Sequence, residues 1–150
     1  MKKSAANDPR RVVVTEFAIL CRDRPGGDIV FTFETQEDLN KLKDNQFVIK
    51  EGSLFKKRIK LRIQHELVTG LKFQNVVSRM GFKDKDVDVI GSFAPQADPY
   101  EVVIPRKEWD EAPSGILARG SYSGEVKLID DDNQCHLDFK YSFKLEKEWK

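Results

Sequence analysis

Cysteine and histidine are scarce in this chain, with two of each in 150 residues. Cys21 and Cys135 stand far apart and fit no metal-ligand or dithiol spacing. Two reduced thiols are the expectation, with one disulfide as the alternative. His65 and His136 are the available imidazole bases, and each falls within a predicted strand. No G-x-S-x-G, H-E-x-x-H or G-x-x-x-x-G-K pattern occurs, so no nucleophile elbow, zinc helix or phosphate loop is encoded. A strand histidine outside any motif is structural or solvated far more often than catalytic, and the chain is read as a non-enzyme. An excess of either charge is missing too: 26 Lys and Arg stand against 25 Asp and Glu, a net charge of +1. That balance argues against nucleic-acid binding by bulk electrostatics. No apolar run approaches the roughly 18 residues of a membrane span. The opening MKKSAANDPRR lacks the apolar segment of a secretory signal. These absences point to one soluble, cytoplasmic domain with no cofactor and no metal.

What the chain does have is alternation. From His136 to Glu146, Leu137, Phe139, Tyr141, Phe143 and Leu145 fall on one side and polar residues on the other. A period of two is a strand with one buried and one wet face. This apolar wall is either half of a core or the lining of a cavity. Val12 to Cys21 is apolar enough for a strand buried on both faces, and Ile29, Phe31 and Phe33 alternate in a second strand. Thr35 and Asp38 resemble a capping box opening one short helix.

The run Leu54 to Val68 has two readings. As a strand it places Phe55, Lys57, Ile59, Leu61, Ile63, His65 and Leu67 on one face, with Lys56, Arg58, Lys60 and Arg62 toward water. As a helix it is basic and amphipathic, suited to a membrane surface. Its neighbours read as strands and no cap is evident, so the strand is preferred. About eight short strands, one helix and regular turn signals predict an all-β antiparallel sandwich of immunoglobulin-like type. Asp130-Asp131-Asp132-Asn133 lacks the spacing and bidentate glutamate of a calcium loop. It reads first as a polar hairpin and second as an acidic patch for a basic partner.

Several stretches together carry a resemblance. They are VVVT (12–15), QFVIKEG (46–52), ELVTGLK (66–72), GSFAP (91–95), EAPSG (111–115), GILARGSYS (115–123), the DDD with HL downstream, and the closing KEW. In these the chain resembles the Rho GDP-dissociation inhibitors over residues 12 to 150. The resemblance implies an immunoglobulin-like sandwich at 12–150 whose sheets part to hold a geranylgeranyl chain, preceded by a flexible N-terminal remnant at 1–11. It implies a protein that binds prenylated Rho-family small GTPases, preferably GDP-bound, and slows GDP release. Such a protein extracts its cargo from membranes, which it meets only transiently, and keeps it soluble in the cytoplasm as a monomer. A prenyl-protein shuttle that leaves nucleotide exchange alone is the alternative, because most of the family's N-terminal arm is not represented in the eleven residues before the sandwich.

By the same resemblance the isoprenoid is expected against Ile19, Phe47, Phe55, Leu67, Leu117, Phe139 and Tyr141. The family typically has tryptophans where this chain has Phe139 and Tyr141. Asp84, Asp130, Asp131 and Asp132 are expected to contact the basic tail of the GTPase. No nucleic acid and no cofactor are implied.

Overall fold

The computed structural model describes residues 8–149. Residues 1–7 of the expected N-terminal remnant lie outside the described residues. Ten strands and one helix follow: β1 (Val12–Cys21), β2 (Ile29–Thr32), α1 (Gln36–Asn40), β3 (Phe47–Lys50), β4 (Leu54–Ile63), β5 (Val68–Arg79), β6 (Phe82–Phe93), β7 (Tyr100–Ile104), β8 (Asp110–Glu111), β9 (Gly120–Ile129) and β10 (Cys135–Glu146). They form two facing sheets. The first runs β2-β1-β4-β7, with β8 paired beside β4, and the second runs β3-β10-β9-β5-β6. Pairing is antiparallel except between β3 and β10, which run parallel. The chain is an all-β sandwich of immunoglobulin-like type with one short helix.

Local chemistry explains the elements. Thr35 accepts from the Asp38 backbone N–H at 3.1 Å, and the Asp38 carboxylate accepts from the Thr35 N–H at 3.1 Å, closing the capping box that opens α1. Residues 54–63 are a strand, as their neighbours suggested, but the strand stops at Ile63. His65 has a φ of 70° and sits in the turn to β5, so it shares no strand face with Lys57. Its ring meets the Asp8 carbonyl, and Gln64 donates to the Arg10 carbonyl at 2.8 Å. The Arg10 guanidinium, 2.7 Å from Asp8, holds that carboxyl well below the usual carboxylate range. Residues 8–11 are thereby fixed along the start of the sandwich.

Two of the four outward cations of β4, Arg58 and Lys60, are ion-paired in place. Arg58 meets Glu16 at 2.8 Å, and Lys60 lies 3.8 Å from Glu16 and 3.9 Å from Glu101. This is a solvated sheet face, ion-paired at its centre.

Between the sheets, Phe17, Ile59, Leu61, Leu71, Phe73, Val126 and Leu128 are fully buried. Each large apolar side chain so buried contributes about 1.5–3 kcal/mol. Phe17 packs on Phe139 and Tyr141 with ring centroids 5.4 and 5.3 Å apart, joining the sheets at mid-height. Both cysteines are free. Cys21 is buried with its thiol pushed up to about 11, chiefly by loss of water, whereas Cys135 is exposed. A thiol reagent added to the folded protein near neutral pH should therefore label Cys135 alone. Mass spectrometry before and after urea would read one adduct and then two, and two adducts in the native state would mean that β1 opens.

Candidate functional site

The sheets part at one end of the sandwich. Inward positions alternate along each strand, so the opening can be followed residue by residue. On β4 the inward series is Phe55, Lys57, Ile59; on β5 it is Arg79, Val77, Asn75, Phe73; on β10 it is Leu145, Phe143, Tyr141, Phe139. In each series the last member belongs to the packed core, and the earlier ones line a cavity of about 430 Å³. Ile19, Phe47 and Ile49 complete its apolar wall, with Tyr122 beside Phe143.

A ladder of rings forms one side. Phe47 stacks on Phe143 at 5.8 Å, Phe143 stacks on Tyr122 at 5.0 Å, and Phe31 supports Phe47 from behind at 5.6 Å. Arg79 closes the rim. It lies over the Tyr122 ring at 5.0 Å and donates to the Tyr122 hydroxyl at 3.0 Å, to the Leu117 carbonyl at 2.7 Å and to the Arg119 carbonyl at 2.6 Å. The turn at Ile116–Ala118 is thus tied to the end of β5, and Met80, Phe82, Ile116 and Leu117 stand exposed around the mouth.

The floor is polar. Tyr141 is buried and its hydroxyl donates to Asn75 Oδ1 at 2.8 Å; burial raises the Tyr141 pKa above the usual phenol range. The ring can lie there because the residue opposite it on β9 is Gly124. A Cβ at Gly124 would come within 2.1 Å of Tyr141 Cζ. Lys57 lines the floor next to Asn75. Burial lowers the Lys57 pKa, against the pull of Asp110, Asp86 and Asp88.

Of the residues expected to meet an isoprenoid, Ile19, Phe47, Phe55 and Tyr141 line this cavity. Phe139 does not: it sits one inward position deeper, buried against Phe17. Leu67 is half exposed, in the turn before β5 at the closed end. Leu117 reaches the mouth only through its carbonyl on Arg79, the residue being 92% exposed. Both leucines lie in turns, where the alternation that points a strand residue inward does not apply.

The acidic residues divide as well. Asp84 lines the mouth, and with it Asp86, Asp110 and Glu111. Asp130, Asp131 and Asp132 lie in the β9–β10 turn, where Asp131 accepts from Thr69 at the far end of β5. Thr69 and Val77, the register partner of Asp84, are separated by roughly 25 Å of strand at about 3.3 Å per residue. The three turn carboxylates come within 4.8 Å of one another, but Asp130 is committed to its own hairpin. It accepts from His136 Nε2 at 2.7 Å and from the Asp132 and Gln134 N–H groups at 2.9 Å each. Those bonds, the one from His136 foremost, hold its carboxyl below the ordinary aspartate value.

Sequence reading passed over Asp86, Asp110, Glu111, Lys57, Asn75, Arg79 and Tyr122. One signal was available: FKDKDVDVI (82–90) alternates, so Asp84, Asp86 and Asp88 must share a face.

The chain matches the family model described as RHO protein GDP dissociation inhibitor over residues 1–148. A Dictyostelium discoideum protein whose name includes rho GDP-dissociation inhibitor 1 is 43% identical over 145 residues, which cover 96% of this chain and 73% of that protein. The Rho GDP-dissociation inhibitor of Schizosaccharomyces pombe is 39% identical over 148 residues, covering 98% and 70%. Rho GDP-dissociation inhibitor 1 of Homo sapiens is 36% identical over the same length and shares.

Two outcomes test this geometry. Gly124→Ala must push the Tyr141 ring off its seat and break its bond to Asn75. Urea denaturation should show a loss of about 1–3 kcal/mol, the usual cost of overpacking, and an unchanged midpoint would mean that the ring moves freely. At the other end, a carboxyl with a depressed folded-state pKa adds stability above its unfolded value, near about 4. That stability is lost as pH falls through the folded value. Asp130→Asn should therefore lower the melting temperature at neutral pH, and the gap to the wild type should close in acid.

Proposed function

The chain belongs to the Rho GDP-dissociation inhibitor family, and we propose that it binds prenylated Rho-family small GTPases, preferably GDP-bound, slows their GDP release and carries them in the cytoplasm. The observation that carries the lipid half of this reading is the open apolar cavity between the sheets, walled by Ile19, Phe47, Phe55, Tyr141 and Phe143. An isoprenoid left in water costs roughly 0.8 kcal/mol for each CH₂ exposed. A bilayer relieves that cost about as well as a protein wall does, so apolar burial alone gives little net extraction. Contacts to the protein part of the cargo have to tip the balance.

The carboxylates at the mouth supply such a contact. Asp84, Asp86, Asp110 and Glu111 are exposed around the opening, where the segment preceding a prenylated cysteine would emerge. A basic segment binds anionic lipid with about 1 kcal/mol per cation near the surface. The acidic rim competes for those same charges, and the exposed apolar residues Met80, Phe82, Ile116 and Leu117 ease the passage of the chain from membrane to cavity. The encounter with the membrane is transient, and no helix among the described residues is long and apolar enough to cross one. The carrier acts as a monomer, one chain to one cargo, and works by binding, not by catalysis.

The test is GDP release from a geranylgeranylated and an unmodified Rho-type GTPase, alongside extraction of the former from anionic vesicles. Extraction with slowed release, both dependent on the lipid, supports the inhibitor reading. Extraction without slowed release selects the shuttle, and no lipid-dependent binding refutes both. Asp84→Lys with Glu111→Lys should weaken extraction, more at low salt than at high salt because exposed pairs are screened. Asp131→Lys with Asp132→Lys, at the far end of the sandwich, should change extraction much less.

A further inference from the structure

We propose that Lys57 is the length stop of the cavity: a chain short enough to end at the floor leaves its ammonium in place, and a longer chain must drive it aside into the acidic pocket beside β6. This inference rests on the isoprenoid reading of the cavity. Three observations place Lys57 in that role.

The first is position. Lys57 is the last cavity-lining residue on β4, and the next inward residue, Ile59, is 1% exposed in the packed core. It therefore stands where a chain entering past Phe55 runs out of space. The second is its lack of a partner. Among the described residues the ammonium has no hydrogen bond or ion pair, and it lies over the Phe55 ring at 5.4 Å. Partly buried, the ammonium gives up some of its water with no bonded partner to replace it.

The third is an escape route. Lys57 also lines a second, smaller pocket of about 170 Å³ that is mainly polar, shared with Asp86, Asp88 and Asp110. Asp86 lies opposite Asn75 in the β5–β6 register, and Asp110 lies opposite Phe55 in the β4–β8 register. Asp86 and Asp110 also line the first cavity, so carboxylates from both sheets flank the lysine where the two pockets meet. These same groups pull its pKa up while burial pulls it down. The flexible four-carbon stem can carry the ammonium from one pocket to the other. Lys57 thus stands where the two pockets meet, and moving it toward Asp88 opens a further stretch of the first.

The consequence is selectivity by one isoprene unit. The experiment uses the full chain and uncharged peptides carrying farnesyl or geranylgeranyl on cysteine, so that rim electrostatics drop out. Lys57→Met keeps the volume and removes the charge, and its melting curve checks the fold. It should tighten geranylgeranyl binding by about tenfold or more and farnesyl binding much less, so the ratio of the two affinities changes.

Asp86→Asn with Asp110→Asn should weaken geranylgeranyl binding in the wild-type background and leave it unchanged in the Lys57→Met background, the signature of a coupled pair. An affinity ratio that is the same in wild type and Lys57→Met overturns the stop. So does a carboxylate effect of equal size in both backgrounds. A wild-type chain that binds neither peptide instead overturns the isoprenoid reading on which the stop depends.

Discussion

The open end of this sandwich depends on how one ring is held. Tyr141 lies across Gly124 of the neighbouring strand, reaches Asn75 with its hydroxyl and leans on Phe17 of the opposite sheet. It caps the packed core with a polar edge, and on its other side the sheets separate. Were the position beside it any residue with a Cβ, the ring could not lie flat and the cavity would have a different floor. The aromatic ladder above it, Phe47, Phe143 and Tyr122, inherits its stacking from that orientation.

Charge is distributed around this hollow in a way that separates its tasks. The wall is apolar, the mouth is acidic, and one ammonium sits at the floor without a partner among the described residues. An exposed carboxylate at the rim costs little to keep and can steer a basic segment. A partly buried lysine is costly unless something answers it, and Asp86, Asp88 and Asp110 around Lys57 answer it only from beyond ion-pair distance. The carboxylates of the β9–β10 turn serve a different end. Asp130 gathers His136 and two backbone N–H groups, and its contribution is to the hairpin.

Much of the fold could be read from local pattern. Alternation in β10, the double-sided apolarity of β1 and the Thr35–Asp38 capping box each follow from side-chain geometry within a few residues. The strand reading of Leu54–Val68 came from its neighbours, and the structure ends that strand at Ile63, before His65 takes a positive φ. The site was legible only in part. Ile19, Phe47, Phe55 and Tyr141 lie in strands, where inward direction is set by the pleat. Leu67 and Leu117 lie in turns, and their direction is set by hydrogen bonds such as Arg79 to the Leu117 carbonyl.

By itself the sequence determined which residues point between the sheets, because a period of two is a property of the strand alone. Tertiary structure decided which of those residues meet packed core and which meet open space. Phe139 and Tyr141 are equivalent in the pattern of β10 and both touch Phe17, yet only Tyr141 borders the cavity. Where packing gives way to open space is set by side chains from both sheets at once. The same holds for the acidic rim, where Asp84, Asp86, Asp110 and Glu111 gather only because β6 and β8 flank one opening. Charges far apart along a chain become one field when folding brings them within a screening length of each other.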